Sequence, residues 1–289
     1  MNRIQIITDT SSDIPKEVSA AYDINIIPLV ISCGGVEYTD GVDITPTEVY
    51  GRTLRGELFT TSQCTYGQLY ERFEYFAQKR ADMIYISVSS GLSGGYSSAL
   101  LAREHILEKY PQVRIGVIDS FGGSMGMGFL AIRAAKMANE GKSFEDIMDT
   151  VEKAKEHIHY YITVDNFDTL SRGGRVPKGV GAFADAHGIK PVITVIDGKL
   201  ALLPKGAKQR GMKRCMNKIL NLIGEEVKVN ERTLITFAHA YDKEKSLTFA
   251  SLFKERFGRD ADLYSQIGTS IGVHGGPTAF AVFIDDFDA

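Results

Sequence analysis

Apolar residues in this chain fall into short unbroken runs that end at polar, glycine-containing corners. Between the runs they recur at every third or fourth position. Residues 3–8 (RIQIIT) are the first run and lead into the polar TDTSSD. A run of that length closed by a turn is the pattern of a buried strand with a loop at its carboxyl end. Asp13 is expected to cap a helix that begins near Pro15. Residues 24–32 (INIIPLVIS) read as a second strand, turned back at Cys33, Gly34 and Gly35. Helices are expected over 46–55 and 66–80. In the latter, Leu69, Phe73 and Phe76 lie four and three apart, on one apolar face.

The same rhythm continues with a strand at 83–88, the corner SSGLSGG and a helix over 96–110. A strand at 113–119, a glycine-rich turn and helices at 129–140 and 143–157 follow. Strand, loop and helix in alternation predict a parallel sheet covered by helices. Past residue 160 the pattern changes. YYITV (160–164) is a strand, DNFDTLSRGGR a short helix or loop, and 191–204 two apolar runs joined by Asp197–Gly198, a hairpin signal. A helix at 207–223, strands at 233–239, 262–266 and 278–284, and a helix at 243–257 complete the chain. Hairpins mixed with helices predict an α+β region. The expected fold is therefore α/β: an N-terminal parallel-sheet α/β domain (1–160) and a C-terminal α+β domain (161–289).

Bulk composition narrows the picture. At 289 residues two domains are expected. An apolar fraction of 44% and a charged fraction of 24% are those of a globular protein. A net charge of −3 and a pI near 6.1 imply neither nucleic acid nor an anionic membrane surface as partner. Cys33, Cys64 and Cys215 form no CxxC pair, so no zinc or redox site of that type is expected, and an odd count suits a reducing cytoplasm. The first residues carry too short an apolar run for a secretory signal, and no stretch approaches the ~18 apolar residues of a membrane span. Charge is uneven, however. From Arg172 to Lys218 there are eleven lysines and arginines against Asp185 and Asp197, a net +9. That segment is either a solvated face or a docking face for an acidic or phosphate-bearing partner.

Four corners could carry chemistry. In SSGLSGG (89–95), Ser93 and the amides after it, Gly94 among them, would meet an anion at a helix start. Ser93 could equally be a simple cap. Gly91-x-Ser93-x-Gly95 also fits the nucleophile elbow of a serine hydrolase, in the required strand–turn–helix setting. TTSQ (60–63) offers Thr61 and Ser62 hydroxyls before a helix, and alone is a capping sequence. GVHGGP (272–277) places His274 in a glycine-rich turn, where it could serve a ligand or simply bond the backbone. RGGR (172–175) brings Arg172 and Arg175 around a flexible pair, a grip for a carboxylate or phosphate or a basic helix end. Three signals are weaker. Gly126-x-Gly128-x-x-Ala131 lacks the acidic partner of a dinucleotide site, and Gly141–Lys142–Ser143 lacks the first glycine of a P-loop. His157 and His159 are two apart, on different faces of the expected helix.

Taken together, TDTSSD, TTSQ, SSGLSGGYSSA, IDS (118–120), NFDTLSRGGRV, KPVITVIDGKL and GVHGGP stand in an order that resembles the DegV family of fatty-acid-binding proteins, over nearly the whole chain. The resemblance implies a binding protein rather than an enzyme, with no cofactor and an acyl chain buried inside. It implies a role as the fatty-acid-binding subunit of a bacterial fatty acid kinase, whose separate ATP-binding subunit phosphorylates the presented carboxylate. By the family pattern Thr61 and Ser93 hold the carboxylate with Ser62 and Gly94 beside them, His274 lies next to it, and Arg175 belongs to the partner interaction. Arg172, Lys205 and Arg210 extend that docking face. The chain departs from the pattern at Cys64, where proline is common after TSQ, at SGGY for SGTY, and at HGGPT for HTGPG. The missing threonine hydroxyl bears on the head-group network.

Overall fold

The computed structural model describes residues 3–165, 168–175, 189–203 and 208–289. Lys205 lies outside the described residues. The first sheet is built from β1 (Ile4–Asp9), β2 (Asn25–Ile27), β6 (Asp82–Ser87) and β7 (Ile115–Asp119) in the order β2-β1-β6-β7, all parallel. Side chains alternate across it. Met83 and Tyr85 meet Leu69, Phe73, Ala99 and Ile106 of α3 (Tyr66–Gln78) and α4 (Gly95–Lys109). Ile84 and Ile86 meet Leu130, Ala134 and Ile147 of α5 (Ser124–Asn139) and α6 (Phe144–Ala154). A strand buried on both faces has no polar positions to spare, which is why these runs are unbroken.

The expected strand at 24–32 is two strands. Pro28 has no amide to donate, so pairing with β1 ends at β2. The chain re-enters as β3 (Val30–Cys33) in a second, antiparallel sheet with β4 (Val36–Thr39) and β5 (Phe59–Thr61), ordered β4-β3-β5. Between β1 and β2 lies α1 (Lys16–Ala21), and between β4 and β5 lies α2 (Pro46–Leu54), capped by Thr45. Asp13 does not cap α1. Its carboxylate accepts from Ser124 Oγ–H and, at 2.9 Å, from the Gly268 amide. α5 begins five residues before the expected 129, because its glycines serve packing: a Cβ on Gly126 would stand 2.3 Å from the Tyr160 hydroxyl.

The C-terminal region is a six-stranded mixed sheet. It contains β8 (Ile158–Thr163), β10 (Ile193–Ile196), β11 (Lys199–Leu202), β13 (Leu234–His239), β14 (Leu263–Gln266) and β15 (Phe280–Asp285), ordered β11-β10-β8-β15-β13-β14. Only β13–β14 is parallel. α8 (Met212–Glu226) and α9 (Lys243–Phe257) cover one face through Ile219, Ile223, Phe249 and Phe253, packed on Tyr161, Phe237, Phe280 and Val282. The opposite face, with Tyr160, Ala281 and Phe283, shares the core of α5. β9 (Ile189–Pro191) pairs with β12 (Lys208–Arg210) apart from this sheet, and α7 (Asp168–Gly173) follows β8. The last helix, α10 (Thr269–Gly275), runs through what the glycine pattern presents as a turn, and His274 sits in its final turn.

Candidate functional site

The carboxyl ends of β1, β6 and β7 face the open side of the C-terminal sheet. Parallel sheets bind ligands at that edge. Here the two surfaces border an open-mouthed cavity whose empty space, open solvent at the mouth included, is about 1060 Å³. Leu29, Val88 and Leu92 line it from the first half, and Ile162, Val195, Leu200, Ile271, Ala281 and Phe283 from the second. The exposed surface of the cavity wall is thus mostly apolar, as expected where a hydrocarbon is to be buried.

Polar groups gather where β5, the α4 corner, α7 and α10 meet. Thr61 Oγ1 and His274 Nε2 are 2.8 Å apart. Ser62, Gln63, Ser93 and Arg175 share the lining with them. The exposed Arg175 donates from NH1 to the Gly173 carbonyl at 2.6 Å and from Nε to the Leu92 carbonyl at 3.4 Å. Burial and the Arg175 charge push His274 down to about 4, so the imidazole is neutral at pH 7. Its Nδ1 is buried with no partner among the described residues, and a Cβ on Gly173 would stand 2.7 Å from it. With the proton on Nε2, His274 donates to Thr61 Oγ1, which leaves the Thr61 hydroxyl proton free for an anion in the cavity.

Ser93 precedes α4 but does not cap it; Gly94 holds the cap position without a side-chain bond. The Ser93 hydroxyl accepts from the Gly95 amide at 3.4 Å, and no histidine bonds it among the described residues. Asp119, a carboxylate beside this corner, accepts from the Ser90 and Phe121 amides instead. Among the described residues, therefore, no hydrolytic triad is assembled around Ser93. Gly94 is not part of the cavity wall; a Cβ there would press on Gln63 Oε1 at 2.3 Å. Arg172 and Arg210 are exposed, away from the lining.

Several wall residues are not among the candidates from the sequence pattern. Asp9, Ser11, Ser124 and Ser270 line the cavity. They belong to a buried network in which Asp9 accepts from Tyr85 at 2.7 Å and Asp40 from the Ser270 hydroxyl at 2.7 Å. TDTSSD marks part of this network by composition, but Asp40 and Ser270 are 230 residues apart and nothing local pairs them. Cys64, in place of the usual proline, lines the cavity as a buried thiol whose pKa burial pushes up, so it is a poor nucleophile. Among the described residues no cluster of histidine, cysteine or acidic side chains suits a metal ion, and no helix is long and apolar enough to cross a membrane.

The family model described as "Uncharacterised protein, DegV family" matches residues 3–286. The chain belongs to the DegV family. A DegV domain-containing protein of Clostridium perfringens is 34% identical over 286 residues, covering 98% of this chain and 97% of that one. One of Caldanaerobacter subterraneus is also 34% identical, covering 99% and 100%. Among solved DegV structures, a stearic-acid-binding protein of Eubacterium ventriosum superposes with a TM-score of 0.89 at 28% identity, covering 100% of this chain and 99% of its own. Bacillus subtilis DegV, described as a fatty-acid-binding protein, gives 0.85 at 26% identity and 99% coverage of both chains.

Proposed function

We propose that this chain binds a long-chain fatty acid with its tail in the cavity between the two sheets and its carboxylate at Thr61 and Ser93. In this reading it presents that carboxylate to a separate ATP-binding kinase subunit, which makes the acyl phosphate, and is not itself an enzyme. The observation that carries the reading is the pairing of a largely apolar cavity with the Thr61–His274 contact at its polar edge. The fatty-acid-binding DegV structures at 28% and 26% identity support it.

Physical magnitudes favour the same division of labour. Burying a methylene contributes ~0.8 kcal/mol, so about a dozen give roughly 10 kcal/mol before association costs of ~4–15 kcal/mol. The tail supplies affinity, and neutral donors suffice to orient the head. A neutral His274 adds no positive charge of its own to that of Arg175 in the same lining.

Two measurements test the proposal. Lipid extraction and mass spectrometry of the purified protein should return a long-chain fatty acid in near-stoichiometric amount. Replacing Thr61 and Ser93 together by alanine should weaken binding of the free acid by ~1.5–3 kcal/mol for each lost charge-assisted bond and leave the methyl ester nearly unchanged. A lipid-free preparation that also fails to take up fatty acid would refute the reading. Stoichiometric labelling of Ser93 by a fluorophosphonate would replace it with the hydrolase.

A further inference from the structure

α10 is seven residues long, too short to hold its own position. The N-terminal half grips its beginning at three points. The Tyr50 hydroxyl donates to the Ile267 carbonyl at 2.7 Å. Asp13 Oδ1 accepts from the Gly268 amide at 2.9 Å. Asp40 Oδ2 accepts from the Ser270 amide at 3.3 Å and from the Ser270 hydroxyl at 2.7 Å. The grip is close: a Cβ on Gly268 would stand 2.4 Å from Asp13 Oδ1, and one on Gly272 2.0 Å from the Tyr50 hydroxyl. Two of the otherwise unpaired amides at the start of α10 are thus satisfied by carboxyl side chains from the other half of the chain.

Ser270 and His274 are four residues apart and share one face of α10. Asp40 directly follows β4, and Thr61 ends β5; both strands belong to the same three-stranded sheet. That sheet therefore contacts one helix face twice, through Asp40–Ser270 and through Thr61–His274. Asp40 is buried and does not line the cavity. We infer that Asp40 is a positioning residue for the head-group site: by fixing the height and rotation of α10 through Ser270, it holds His274 Nε2 against Thr61. The inference rests on the fatty-acid reading for its consequence but not for its geometry.

The experiment compares the wild type with Asp40→Ala, Asp40→Asn and the milder Ser270→Ala, using stearic acid and methyl stearate as probes. Asp40→Ala should weaken stearate binding about tenfold, the scale of one lost charge-assisted contact, and leave methyl stearate within twofold. Asp40→Asn keeps an acceptor for the Ser270 groups and should bind nearly as the wild type. Ser270→Ala should fall between. In a His274→Ala background, Asp40→Ala should add no further loss. An equal loss for acid and ester, or full additivity with His274→Ala, would overturn the inference, because either outcome means that Asp40 merely supports the fold. A second readout needs no ligand. In the imidazole NMR titration, His274 should move from its low value towards the ordinary histidine range in Asp40→Ala but not in Asp40→Asn. An unmoved His274 in Asp40→Ala overturns the inference even if the wild type binds no fatty acid, and that failure of binding would count against the fatty-acid reading alone.

Discussion

Burial holds Asp13 in its neutral form, with its pKa pushed up to about 8, further raised by Asp40 and Asp9 nearby and opposed by the donors Ser124 and Gly268. No ion pair reaches it among the described residues. Its unfolded value is the ordinary 3.8. A carboxyl whose folded pKa is raised contributes stability that is complete below the unfolded pKa and is lost as pH rises through the folded one. Stability from this group should therefore fall between about pH 4 and 8, by at most ~1.4 kcal/mol per pH unit. Asp13→Asn keeps an acceptor for Gly268 and tolerates the left-handed backbone at φ 53. Its thermal midpoint should exceed that of the wild type by a margin that widens from pH 5 to pH 8; a constant margin would mean that Asp13 stays charged. Thr61, Ser93 and His274 are each candidates from their own corners, but only the resemblance joins them in one role, since Thr61 and His274, 213 positions apart, share no spacing that sequence alone can show. Asp13 and Asp40 were not reached as site residues, because a capping reading of Asp13 satisfied the local pattern and Asp40 lies in an unpatterned loop.

At the scale of elements, the buried runs of the parallel sheet were legible because both of their faces are covered. The three-stranded sheet was not, since β4 and β5 are short and show no alternation. His157 and His159 illustrate the penalty of a misplaced boundary. With α6 ending at Ala154, His157 closes a 3-10 turn and His159 lies on β8, and both bond Asp286 at 3.1 Å. The glycines opening α5 give a turn signal, although Gly122 and Gly126 make room for Tyr160. Gly126→Ala gains helix propensity of about 1 kcal/mol, yet its methyl would overlap the Tyr160 ring and hydroxyl. Overpacking of this kind costs ~1–3 kcal/mol, so the urea midpoint should fall. An unchanged midpoint would show that Tyr160 moves aside into the cavity.

Across the whole molecule, the polar edge of the cavity opens beside Arg175, and Arg172 and Arg210 add to the positive segment that follows. In the proposed role a kinase subunit approaches here, and its attraction should weaken with salt. Arg175→Ala is expected to retain bound fatty acid while acyl phosphate formation with ATP and a kinase subunit drops sharply. Loss of the lipid with undiminished docking would move Arg175 from the docking face to the pocket. The cavity has one more consequence. Its walls come from both halves of the chain, so whatever fills it becomes part of the contact between them. A ligand that binds only the folded chain adds ~1.4 kcal/mol for each tenfold excess of its free concentration over Kd. In the proposed role, empty copies should therefore open and be degraded sooner than full ones, so that the cellular amount of the protein follows the fatty acid available to it.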